Sequence, residues 1–139
     1  MAEAERAKVT FELVTPTALA VSEDVDMVVV PGVEGDFGVL PGHTPTLTTM
    51  RPGVINMYIS GKISKSLFVE GGFAEANSEG CTVLAEGATD IANISAEDAQ
   101  VRLAAARDAL ANSHGAAAEN EVKVAEAMVM AVRVSPTQH

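Results

Sequence analysis

Tryptophan is absent, tyrosine occurs once and phenylalanine four times, so aromatic residues make up only 4% of the 139. The core must therefore come from Val, Leu, Ile, Met and Ala, and a hydrophobic content of 47% is enough to bury one. Cys81 is the single cysteine, which excludes an internal disulfide and fits a reducing compartment. Its place in an alternating stretch favours a small buried hydrophobe over a reactive thiol. Bases are scarce too: nine against nineteen acids, a net charge of −10. An acidic surface attracts neither nucleic acid nor anionic lipid, so neither is expected as a direct partner. No apolar run approaches the roughly 18 residues of a membrane-spanning helix. The opening Met1-Ala2-Glu3-Ala4-Glu5-Arg6 is acidic and lacks an apolar stretch, so neither a secretory signal nor an Arg-rich transit peptide is expected there. These absences point to a soluble, cytoplasmic chain that meets a membrane only through another protein.

The length suits one compact domain, or a small domain with an appendage. Charge is uneven along it. Residues 1–90 hold thirteen acids and five bases, net −8, and the remainder hold six and four, net −2. A docking face on the first part should prefer basic or neutral partners.

From Lys8 to about Ala88 the pattern is of short strands between turn residues. Val9, Phe11 and Leu13 alternate with Thr10 and Glu12, the period of a half-buried strand. Thr15-Pro16 turns the chain into a second short strand, Ala18 to Val21. Val25 to Val30 begins by alternating and ends continuously apolar, consistent with burial on both faces. Thr46 to Met50 follows, then the turn Arg51-Pro52-Gly53. Gly53 to Ile59 and Ile63 to Glu70 bracket a hairpin connection at Ser60-Gly61-Lys62. Gly71-Gly72 breaks the next pair of strands, and Asn77 to Gly80 turns the chain into Cys81 to Ala85. Strands at this spacing predict a flattened β-sandwich or barrel over residues 1–88.

Between two of those strands lies Val30 to Pro45, which holds four of the eleven glycines and three of the six prolines. Glycine takes positive φ freely and proline fixes φ, so tight turns are expected around one short strand, Phe37 to Leu40. One carboxylate, Asp36, is held there at a rigid, exposed position.

After Ile94 the composition changes. Ser95-Ala96-Glu97-Asp98 reads as an N-cap with acids suited to the positive helix end. Ala99, Leu103, Ala106 and Leu110 form one stripe, and Gly115 is the expected left-handed cap. A second helix from about Ala116 to Arg133 carries Val122, Ala125, Val129 and Val132 on one face, with Glu119 placed to pair with Lys123 and Pro136 closing it. Residues 89–139 are thus predicted to form an antiparallel helical hairpin. Its seam is mostly alanine, which buries little area per residue, so it should hold together mainly when docked.

Catalytic chemistry is not signalled. His43, His114 and His139 are scattered without metal-ligand spacing, and His43 reads as turn-stabilising. Ser64 and Ser66 lack a glycine elbow. Gly32, Gly35 and Gly38 do not fit a dinucleotide fingerprint, and no Gly-Lys-Ser/Thr follows them. No cofactor is expected.

The stretch Glu34-Gly35-Asp36-Phe37-Gly38-Val39-Leu40-Pro41-Gly42-His43-Thr44-Pro45 resembles the signature of the epsilon subunit of bacterial F-type ATP synthases, called delta in mitochondria. The likeness continues through Arg51-Pro52-Gly53, Val69 to Phe73, Val83 to Glu86 and Asn112 to Gly115, nearly the whole chain in order. It implies a non-catalytic rotor subunit of the central stalk. The sandwich would bind the gamma subunit along one side and polar loops of the c-ring underneath, so that torque from proton flow reaches the catalytic sites. Asp36 would meet a basic c-ring loop, with Phe37, Gly38 and His43 beside it; where family members often carry Glu-Leu-Gly, this chain has a shorter acid and a Phe that could pack on the partner. The implied location is peripheral, at the cytoplasmic face of the bacterial inner membrane. The hairpin would be regulatory, folding on the sandwich or extending along gamma to the catalytic alpha/beta head to oppose hydrolysis. Some members bind ATP through Ile-Asp-x-x-Arg-Ala. Here the matching residues are Ile94, Ser95, Asp98 and Ala99, with an anion in place of the phosphate-binding cation, and Arg102 and Arg107 further on read equally well as solvated charges. Weak or absent ATP binding is the expectation. A nucleotide-sensing module with ATP between sandwich and hairpin is the alternative.

Overall fold

Ten strands precede any α-helix: β1 (Val9–Thr15), β2 (Ala18–Val25), β3 (Met27–Gly32), β4 (Gly35–Val39), β5 (Thr46–Met50), β6 (Gly53–Ile59), β7 (Lys62–Val69), β8 (Gly72–Ala76), β9 (Gly80–Ala85) and β10 (Ala88–Asp90). One turn of 3₁₀ helix (Ile91–Asn93) leads to α1 (Ala96–Asn112) and α2 (Ala116–Val134). The computed structural model describes residues 7–134, so the expectations for Met1–Arg6, Pro136 and His139 fall outside it.

The strands form a continuous sheet in the order β10-β7-β6-β3-β5-β8-β9-β1-β2, with β4 on the other edge of β3. β1 and β9 run parallel and every other pair is antiparallel. The sheet folds over at β3, which pairs with β6 along Met27–Val29 and with β5 only at Gly32, closing a flattened sandwich. Val9, Phe11, Leu13, Val28, Val30, Ile55, Met57, Leu67, Val69 and Val83 meet in one buried cluster. Alternation puts these side chains inward because a strand's side-chain period is two.

Several boundaries differ from expectation for local reasons. β2 runs on to Val25 because Val9 pairs with it across the strand. β4 begins at Gly35, not Phe37, so Asp36 lies within a strand opposite Pro31. The β6–β7 loop is only Ser60-Gly61, and both adopt positive φ (54° and 78°), leaving Lys62 in the strand. That pair of left-handed residues gives the turn whose twist matches a tight hairpin. β10 carries the pairing as far as Asp90, opposite Leu67. In β3, Val30, Pro31 and Gly32 are buried, but Val29 is only half-buried, so coverage on both faces is confined to the end of the strand.

The helical part starts as expected. Ser95 caps α1, its Oγ accepting the Asp98 N–H at 2.9 Å. At the other end, Gly115 is not left-handed; among the described residues the positive-φ glycines are 35, 42, 61, 71 and 72. Gly115 instead opens α2, its carbonyl accepting the Glu119 N–H at 3.0 Å. The two helices are antiparallel: Ala99 meets Val124, Met128 and Val132 in one cluster, while Leu103 and Ala106 meet Ala125 and Val122 in another. Leu110 is only half-buried. α2 buries Val124, Ala125, Met128, Ala131 and Val132, whereas Val122 and Val129 are half-buried. The face is broader than one stripe because α2 packs against α1 and against the sheet. No Glu119–Lys123 ion pair forms among the described residues; Arg107 pairs with Glu126 instead, at 3.6 Å.

Candidate functional site

Asp36 is exposed as expected, but its carboxylate already has a partner. Pro31 and Gly32 end β3, and Arg51 lies beside them where β5 turns into β6. The Arg51 N–H donates to the Pro31 carbonyl at 2.9 Å, its Nη1 donates to the Gly32 carbonyl, and its Nη2 donates to Asp36 Oδ1 at 2.6 Å. With side chains 44% and 60% exposed, this ion pair adds at most about 1 kcal/mol to stability. Its effect is positional: it fixes the carboxylate through Oδ1 while the side chain stays exposed. Sequence reasoning missed Arg51, which lies fifteen positions from Asp36 and is brought to it only by the β3–β5 corner.

Around this pair, Phe37 is half-buried and packs partly on the sandwich core. Gly38 is exposed on β4. His43 stabilises its own turn, Nδ1–H donating to the Thr44 carbonyl at 2.6 Å, and its ring centroid lies 6.3 Å from that of Phe37.

A second feature is the outer face of β5, β8, β9 and β1. Thr49, Phe73, Leu84 and Val14 lie in one cross-strand row, with Leu47 one step along. Leu47, Phe73 and Leu84 are 72%, 52% and 53% exposed. Val14, Pro16, Phe73 and Leu84 edge a cleft of about 450 Å³. Adjacent large apolar side chains left in water on an acidic protein mark a binding face.

The third is the seat of the hairpin. Phe68, fully buried, points away from the sandwich core and joins Ile91, Ile94, Ala99, Val124, Met128, Ala131 and Val132. Ile94 and Ala99 are therefore packing residues here. Arg102, read as equally a solvated charge, is neither free nor fully solvated: it donates to Glu70 and Glu121, with its side chain 29% exposed. The hydrogen bonds to Glu121 and then Glu70 push the guanidinium pKa above its usual value, and the bond from Arg102 lowers that of Glu121. Arg107, 63% exposed, remains a surface charge paired loosely with Glu126.

Cys81 sits in the core, where burial pushes its thiol up to about 12. A thiol reagent at pH 8 is therefore expected to leave the folded chain unlabelled and to titrate one thiol after denaturation; native labelling would show the site open. Among the described residues, no group of three His, Cys, Asp or Glu side chains could hold a metal ion, and no helix is long and apolar enough to cross a membrane.

A stiff strand-built body with a braced acid at one corner, an uncovered apolar face and a docked helical hairpin defines a two-part partner-binding protein. The family "ATP synthase, Delta/Epsilon chain, beta-sandwich domain" matches residues 8–91. The ATP synthase epsilon chain of Paramagnetospirillum magneticum is 53% identical over 129 residues, 90% of this chain and 97% of that one. That of Rhodospirillum rubrum is 49% identical, covering 88% and 91%. Among solved structures, a chain of the Euglena gracilis mitochondrial ATP synthase (OSCP/F1/c-ring, rotational state 1) superposes with a TM-score of 0.75 at 25% identity, covering 91% of this chain and 82% of that one. The chain belongs to the ATP synthase delta/epsilon family. It is an accessory, non-catalytic subunit of that complex.

Proposed function

We propose that this subunit couples the gamma subunit to the c-ring in the central stalk of a proton-translocating ATP synthase at the cytoplasmic face of a bacterial inner membrane. The observation that carries this reading is the exposed Leu47-Phe73-Leu84 face, which we assign to gamma. Apolar anchors in a cleft supply most of an interface's affinity, and a rigid sheet loses little entropy on binding. The corner with Asp36, Phe37, Gly38 and His43 faces the c-ring. There Arg51 holds Asp36 through Oδ1, and the exposed carboxylate meets a basic loop in a charge-assisted contact.

The sandwich (1–88) and the hairpin (89–139) act as separate units, the second able to leave the first and reach toward the catalytic alpha/beta head. Arg102, the nearest cation to the region of the nucleotide motif in sequence, is committed to Glu70 and Glu121. That leaves no free phosphate partner on this turn of α1 and argues for weak or absent ATP binding.

Leu47→Glu should weaken capture by purified gamma roughly thirtyfold or more, as putting a charge in place of an apolar anchor of this face costs about 2 kcal/mol or more. Asp36→Asn should leave gamma capture unchanged and reduce association with c-ring vesicles. Unchanged gamma binding in a folded Leu47→Glu variant would put gamma on another face.

A further inference from the structure

Arg102 on α1 joins three parts of the chain. Its Nε and Nη2 donate to the Glu121 carboxylate on α2 at 2.7 and 3.0 Å, and its Nη1 and Nη2 donate to the two Glu70 oxygens at 3.2 Å. Glu70 lies at the turn between β7 and β8, so one arm of this bracket stays inside the hairpin and the other crosses to the sandwich.

The two arms respond differently when the hairpin leaves. The Arg102–Glu121 arm travels with the helices. The Glu70 arm breaks, but Glu70 sits on a turn with its side chain already 28% exposed, where water can replace the guanidinium. Breaking a buried pair normally leaves a stranded charge, at a heavy cost. Here no charge is stranded on either side. The apolar contacts under the hairpin set how tightly it sits, while a fork with fixed donor geometry sets its angle and register.

We propose that Arg102 is a releasable latch: bound to Glu121 throughout, it clips the hairpin to the sandwich through Glu70 and lets go without losing its charge partner. This rests on the reading that the hairpin moves as a unit. The latch is ionic and partly wet, so its hold falls as salt rises.

The test is amide hydrogen exchange, read by mass spectrometry, on the full chain. Released from its seat the helix pair stays together but frays more, because most helical stability in proteins comes from tertiary packing, so undocking speeds exchange of the α2 amides over residues 124–132. Glu70→Gln should raise their exchange about tenfold, equivalent to about 1.4 kcal/mol, with β1 and β9 unchanged. Arg102→Lys, which keeps the charge but loses the fork, should behave similarly, and 1 M salt should bring the wild type towards Glu70→Gln. Equal α2 protection in wild type and Glu70→Gln, with helices still opening before strands, would overturn the latch and leave the movable hairpin standing. Should wild-type α2 amides exchange only together with the strands, the hairpin does not open separately, and both readings fall.

Discussion

Gly72→Ala is expected to cost about 4 kcal/mol or more, among the largest effects a single substitution produces. Gly72 opens β8 at φ 134°, a conformation side chains rarely adopt, and a Cβ there would lie 2.0 Å from the Leu84 carbonyl oxygen and 3.0 Å from Ala85 Cα. Those atoms are backbone of β9, so no rotamer can relieve the overlap. The β8–β9 pairing would have to part where Gly72 faces Ala85. For a domain of this size the loss corresponds to a fall in Tm of roughly 15 °C, measurable by calorimetry. Gly61→Ala is the control. It also has positive φ, 78°, but nothing lies within 4 Å of its Cβ position. Strain alone there should cost about 1–3 kcal/mol. If the two variants melted together, the close approach of β9 would not be what demands glycine at position 72.

Phe68→Ala should cost about 3–5 kcal/mol, but unevenly across the molecule. The ring is fully buried, yet it is flanked in β7 by Leu67 and Val69, which belong to the sandwich core, while Phe68 itself belongs to the cluster under the helices. Its removal empties the hairpin's seat and leaves the inner face of the sheet filled. Limited trypsin digestion should therefore cut first at Arg102, Arg107 and Lys123, while a fragment containing the strands survives. Phe11→Ala, at the centre of the inner cluster, should expose both parts together. Identical digestion patterns for the two variants would mean that sandwich and hairpin unfold as one unit. The separate action proposed for them would then fail.

Both experiments turn on positions whose type is plain in the sequence and whose neighbours are not. Gly71-Gly72 reads as a break between strands, but only the folded sheet brings Leu84 against it. Phe68 reads as one apolar residue in a strand; that it faces helices more than twenty residues further along depends on the α1–α2 pair lying across β6 and β7. The continuous burial of Ser66 to Val69 has the same origin, a strand covered on both faces near its end. Conversely, the Gly115 expectation failed because a glycine after a helix can also open the next one. Composition does not distinguish the two.

What the residues determine alone is local and periodic. Alternation of apolar and polar side chains sets the strands of the sandwich, Ser95 starts α1, glycine and proline place the turns, and the order of short motifs carries the family. What only the tertiary structure decides is pairing across long stretches of chain: Arg51 on Asp36, and Arg102 between Glu70 and Glu121. Backbone conformation responds to neighbours a few residues away, and those are written side by side in the chain. A charge finds its partner through the way the sheet folds over and the helices settle on it, and no spacing in the sequence encodes that distance.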